Sequence, residues 1–96
     1  METNNKDAVI LNDYVGDLEP VHPGSILHEE IRSRGIRQKE FASSIGMQPS
    51  HLSALIHGQR NITAAVAVKL EQALDIPANI WLNLQNQYDL GRASQR

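Results

Sequence analysis

The stretch "QKEFASSIGMQPSHLSALIH", Gln38 to His57, decides how the rest of the chain is read. Two short helices that cross at close range need a small residue at the crossing, a glycine in the turn and apolar residues facing a shared core. Ala42 supplies the first, Gly46 the second, and Phe41, Ile45, Met47, Leu52 and Leu55 the third. An ordinary helical hairpin would bury a similar set. Seven positions in register within twenty residues favour a helix-turn-helix, whose second helix lies in the major groove of DNA.

Working outward, Pro23 suits the first position of a helix, and "SILHEEIRSRG" carries Ile26, Leu27 and Ile31 toward one side before Gly35 stops it. The motif itself predicts helices from Gln38 to Ile45, ended by Gly46, and from Pro49 to Gly58. Thr63 is a fitting N-cap for a fourth helix, with Val66, Leu70, Ala73 and Leu74 at helical spacing. Pro77 opens a fifth, "ANIWLNLQNQYDL", with Ile80, Trp81, Leu84 and Tyr88 on one stripe. The tail "GRASQR", residues 91–96, is expected to fray. Arg37, Gln48 and Ile76 stand where an oxygen-bearing cap usually sits, so three helix starts are poorly capped.

A chain of 96 residues, 41% apolar, builds one modest core. With one Trp, one Phe and two Tyr, that core rests on Leu, Ile, Val and Ala, which suits packed helices. The fold class expected is therefore all-α, with five helices over residues 22–90 and an arm over residues 1–21. Neither helical nor strand periodicity holds for long in that arm, so a short strand, a helical turn and disorder all stay open. The absence of cysteine removes disulfides and thiolate metal sites, and fits a reducing compartment. No basic start leads into a long apolar run, so neither a signal peptide nor a membrane span is expected, and the chain reads as a cytoplasmic protein.

Charge is unevenly spread. Residues 1–20 hold Glu2, Asp7, Asp13, Asp17 and Glu19 against Lys6 alone, a balance of −4 within a total of −2. The remaining 76 residues hold eight basic and six acidic side chains, and Arg32, Arg34, Arg37 and Lys39 crowd into eight positions. It is this local field that meets a phosphate backbone.

Gln48, Ser50, Ser53, Ala54 and His57 face outward from the second helix of the motif and are the candidate base readers. Gln48 suits a bidentate bond to adenine, the serines are versatile, and Ala54 suits a thymine methyl. Gln38, Arg60 and Asn61, with Arg37 and Lys39, are placed to hold phosphates. So few cations per chain point to a dimer reading two half-sites. Catalysis has little support. His51 and His57, like His22 and His28, are six residues apart, about 240° around a helix, so neither pair forms a metal-binding face. No nucleophile triad and no glycine-rich phosphate loop is present, and neither a metal nor a cofactor is called for.

From His22 onward the sequence resembles the HigA-type antitoxins, a branch of the lambda-repressor-like helix-turn-helix family. The resemblance rests on "HPGSILHEEI" at 22–31, the motif at 38–57, "HGQRNIT" at 57–63 and "WLNLQNQYDL" at 81–90, the last being the most specific; it covers 69 of 96 residues. It implies a homodimer that represses its own operon and neutralises a cognate RelE-like (HigB-type) toxin, a ribosome-dependent ribonuclease. It further implies operator contact through the five outward residues, with Gln38 and Arg60 at the backbone, and dimerisation near Trp81, Leu84 and Tyr88. It leaves the toxin-binding residues unassigned. A stand-alone helix-turn-helix regulator is the nearest alternative.

Overall fold

The computed structural model describes residues 20–94, and these form five helices: α1 (Pro23–Ser33), α2 (Gln38–Ser44), α3 (Pro49–Ile56), α4 (Ala64–Leu74) and α5 (Ala78–Ser94). The acidic arm, up to residue 19, lies outside the described residues, as do residues 95 and 96. α1 packs against α3 and α5, α2 against α3, and α4 against α5. The core runs through all five, from Leu27 and Ile31 through Phe41, Ala42, Leu52 and Leu55 to Leu70, Leu74 and Trp81.

The helix ends follow from local chemistry. α1, α2 and α3 stop in the same way: the residue two past the cap donates its N–H back to a carbonyl one turn earlier, from Ile36 to Ile31, Met47 to Ala42 and Gln59 to Ala54. Between them the chain must pass through the left-handed region, which costs a side chain about 1–2 kcal/mol. Gly46 takes that conformation (φ +65°) inside the helix-turn-helix and so reverses the chain from α2 to α3. α4 does without glycine. Asp75 carries φ +61° itself, a conformation that short polar side chains tolerate.

At the starts, Thr63 accepts the Val66 N–H at 3.3 Å, as its place in the sequence predicts. Arg37 and Gln48 cap α2 and α3 with no side-chain hydrogen bond, also as expected. The poor start foreseen at Ile76 is repaired from elsewhere: α5 begins at Ala78, whose N–H donates to the Glu71 carboxylate of α4 at 3.2 Å.

Two features correct the sequence reading. Helix α5 does not fray after Leu90 but continues to Ser94. Gly91, near the end of this helix, lies against Pro20, and a Cβ at that position would come within 3.0 Å of the Pro20 ring. One turn apart, Arg92 donates to the Tyr88 hydroxyl at 2.9 Å. The second correction concerns Trp81, expected at a subunit contact, which is 0% exposed within the single chain. Its indole Nε1 is buried with no partner among the described residues. An unpaired donor costs about 1–3 kcal/mol, whereas burying the ring's roughly 200 Å² contributes about 5 kcal/mol, so the apolar term wins and holds Trp81 inside.

α1 and α3 approach closely at Gly24. Gly24 is buried, and a Cβ there would overlap the Leu55 carbonyl oxygen. Since that oxygen belongs to backbone, no rotamer change relieves the clash. Gly24→Ala is expected to destabilise the chain by about 3 kcal/mol or more in urea or thermal unfolding; a variant as stable as its parent would show that the two helices cross farther apart.

Candidate nucleic-acid interface

α3 has eight residues, too few to be helical alone, so packing sets its orientation. Leu52, Leu55 and Ile56 are buried, and this fixes what faces away. Gln48, Ser50 and His57 are exposed; Ser53 and Ala54 are half-buried. Along the helix, Ser50, Ser53, Ala54 and His57 fall within an arc of about 100°. Four of the five predicted base readers therefore share one side of α3, and the fifth, Gln48, is exposed at its N-cap.

His57 is not a free imidazole. Its Nδ1 lies 2.8 Å from the Ser53 carbonyl oxygen and 3.3 Å from Ser53 Oγ. A carbonyl only accepts, so the shorter contact assigns the proton to Nδ1 and leaves Nε2 as an outward acceptor in the neutral ring. That polarity suits an exocyclic base amine better than a phosphate.

The predicted phosphate group divides. Lys39, Ser43, Gly46, Met47, Gln48 and Pro49 line one hollow, so Lys39 stands beside the uncapped start of α3. Arg37 and Arg60 are exposed, and Gln38 is half-buried at the start of α2. Asn61 is exposed, but its Oδ1 accepts from Gln85 Nε2 at 3.2 Å. Its side-chain oxygen is thus engaged inward, and only its amide hydrogens remain for an anion.

Other cations turn away from this side. Arg34 donates to the Leu74 carbonyl oxygen at 2.8 Å, Lys69 to that of Ile45 at 3.0 Å, and the Arg92 guanidinium lies 5.7 Å from the Tyr88 ring centre. The first two satisfy carbonyls at the C-terminal ends of α4 and α2, where the helix dipole is negative. Among the described residues, Arg32, Arg37, Lys39 and Arg60 are left without a hydrogen bond or ion pair.

Leu84 and Tyr88, expected at a subunit contact with Trp81, are half-buried. Tyr88 packs edge-on to His22, ring centres 4.7 Å apart. Larger apolar exposure on α4 and α5 lies at Val68, Ile80 and Leu90, at 46%, 42% and 62%.

Sequence reading missed two polar residues behind the α3–α4 loop. His22 caps α1, its Nδ1 accepting the Gly24 N–H at 2.9 Å. Gln85 is buried on α5 and accepts the Ile62 N–H through Oε1 at 2.7 Å. A signal for Gln85 was present: it follows Trp81 by four residues and so shares the buried side of α5.

The comparisons with known proteins agree with this geometry. The helix-turn-helix family HTH_3 matches residues 27–81. Virulence-associated protein I of Dichelobacter nodosus is 35% identical over 80 residues, spanning 82% of this chain and 74% of the relative. Antitoxin HigA-1 of Vibrio cholerae serotype O1 is 39% identical over 72 residues, spanning 74% and 68%. The structure of Pseudomonas aeruginosa antitoxin HigA with the higBA promoter superposes with a TM-score of 0.73 at 32% identity, covering 77% of this chain and 82% of that one. No described helix is long and apolar enough to cross a membrane.

His22 makes the loop's support sensitive to pH. Burial pushes its pKa below the ordinary histidine value, against the opposing pull of Asn61, the Asp89 carboxylate and the Arg60 backbone. The unfolded chain then binds more protons than the folded chain as pH falls through about 6.5, so stability falls with it. Protonation also places a hydrogen on Nδ1, where the Gly24 N–H now donates. The urea midpoint is expected to drop between about pH 7.5 and 5.5, and His22→Asn, which keeps a capping oxygen, should flatten the drop; equal slopes in the two proteins would show that His22 is not its source.

Proposed function

This chain belongs to the helix-turn-helix family that includes the HigA antitoxins, and from that premise we propose that it is a dimeric antitoxin that binds its own operator and neutralises a cognate RelE-like toxin. The observation that carries the reading is α3 itself: Leu52, Leu55 and Ile56 lock one side into the core while Ser50, Ser53, Ala54 and His57 occupy the other and Gln48 is exposed at its start. The likeness to an antitoxin solved with promoter DNA supports it.

In this reading α3 enters the major groove. Gln48 bonds the N6 and N7 edge of an adenine, Ala54 meets a thymine methyl, Ser50 and Ser53 bond neighbouring edges, and His57 Nε2 accepts from a base amine. Gln38, Arg37 and Lys39 hold the backbone on one flank of α3, and Arg60 with the Asn61 amide on the other. Each good base contact contributes about 1–3 kcal/mol of discrimination.

Two protomers would read half-sites about 34 Å apart, or a multiple of that. We place their contact on α5, where Ile80, Leu84 and Tyr88 succeed one another at four-residue steps, with Trp81 supporting them from beneath rather than touching the partner. The arm's balance of −4, interspersed with Val9, Ile10, Leu11, Tyr14 and Leu18, suits a basic RNA-cutting toxin through charge and apolar contact. The toxin is inhibited by stoichiometric binding in the cytoplasm, with no chemistry on the part of this chain.

The test is a titration of the DNA upstream of the gene against a scrambled duplex at several salt concentrations, with and without residues 1–19. We expect the upstream duplex to bind tighter by about 4–10 kcal/mol. With four cations per protomer unpaired among the described residues, the salt slope should be no steeper than about −7 for a dimer. Removing the arm should leave operator affinity intact and weaken capture of a co-encoded basic toxin. Equal, weak binding to both duplexes would overturn operator recognition, and unchanged toxin affinity without the arm would overturn its assigned role.

A further inference from the structure

Gln85 is 6% exposed and is the buried polar residue of the described core. It lies on α5, yet its bonds reach back more than twenty residues. Oε1 accepts the Ile62 N–H at 2.7 Å, and Nε2 donates to Asn61 Oδ1 at 3.2 Å and to Asp89 Oδ1 at 3.1 Å. Both amide hydrogens are therefore used, one on the loop at Asn61 and the other on a charged acceptor of the same helix.

That loop, between α3 and α4, also lies against His22 and is tied to α3 at its near end. Gln59 and Arg60 both donate their N–H groups to the Ala54 carbonyl oxygen of α3, at 2.8 and 3.3 Å. Arg60 consequently sits between two anchors: α3 on one side and, through Asn61 and Ile62, Gln85 of α5 on the other. An exposed arginine on a short loop contacts a phosphate reproducibly only if the backbone beneath it is fixed.

We propose that Gln85 is a positioning residue for DNA contact: it sets Arg60 against the backbone phosphate and makes operator affinity depend on α5. The inference rests on the operator-binding reading given above. Gln85 touches no DNA in this arrangement; it acts through Arg60.

The test measures upstream and scrambled duplexes against the full chain, Gln85→Met, Arg60→Ala and the double variant, at several salt concentrations. Methionine keeps the length and volume and removes all three hydrogen bonds. Gln85→Met is expected to weaken operator binding about tenfold, within the range by which residues remote from a ligand modulate its binding. The salt slope should become shallower by about 2 per dimer, one phosphate per protomer. Added to Arg60→Ala, it should cost nothing further, because the residue it positions is already gone. A purely structural role would leave the slope unmoved and the two losses additive, and either result overturns the proposal.

Should Gln85→Met fail to fold, Gln85→Glu combined with Asp89→Asn keeps the question open to experiment. The exchange preserves net charge, reverses the donor between the two side chains and retains an acceptor for the Ile62 N–H, while Asn61 meets the carboxylate by turning its amide so that Nδ2 donates. Affinity lost in Gln85→Glu alone should return to within about twofold in the pair, by restoration of the coupled hydrogen bond; no return would overturn the proposal. If the unaltered chain fails to distinguish the two duplexes, the operator reading falls and this inference with it. If it distinguishes them while Gln85→Met matches it, only the inference falls.

Discussion

The burial of Leu52, Leu55 and Ile56 is the constraint on which the rest of the molecule depends. An eight-residue helix has no stability of its own in water, and no side chain caps its start here. What holds α3 is contact with α1 and α2, and the contact with α1 is close because Gly24 offers no Cβ to the Leu55 carbonyl. The apolar side cannot rotate outward without opening the core. Ser50, Ser53, Ala54 and His57, on the opposite side, are thereby fixed as a set.

A chain of formal charge −2 is a poor electrostatic partner for DNA on average, but averages are not what a phosphate meets. The arm accounts for most of the acidity. Within the described domain, Arg34 and Lys69 are committed to carbonyls at helix C-termini and Arg92 to Tyr88, leaving Arg32, Arg37, Lys39 and Arg60. The Arg34–Glu30 ion pair, at 3.1 Å, is over one-third exposed at both side chains and contributes little by itself. The bond from Arg34 to Leu74 matters more, since it joins the end of α1 to the end of α4 across forty residues. Positive charge in this fold thus serves two purposes, closing helix ends and facing outward, and sequence proximity does not sort residues between them.

The distinction explains what was legible in the sequence. The five helices, the glycine that turns α2 into α3, the capping role of Thr63 and the outward residues of α3 all follow from local rules with a period of 3.6. The tail, as a chain end, is expected to fray, and only the approach of Pro20, seventy-one positions before Gly91, shows that this end of α5 is packed. Trp81 misled for a different reason: an aromatic on a helical stripe faces something apolar, and periodicity does not say whether that is the same chain. The bonds of Gln85 to the α3–α4 loop, and the packing of His22 on Tyr88, depend on tertiary neighbours that no window of eleven to eighteen residues contains.

Those loop contacts bear on how the two proposed activities are related. His22 at the start of α1, Asn61 in the loop and Gln85, Tyr88 and Asp89 on α5 meet behind Arg60. The first described residue, Pro20, packs on the same helix at Gly91, so the arm enters the domain at this end of α5. A partner that gripped the arm or α5 and shifted either one would change the position of Arg60, and with it the affinity for DNA. Linkage then works in both directions: whatever factor such a partner imposes on operator binding, the operator imposes on binding of the partner. The sign depends on whether the partner favours or disfavours the conformation in which Gln85 holds Ile62, and a partner indifferent to that conformation produces no coupling however tightly it binds.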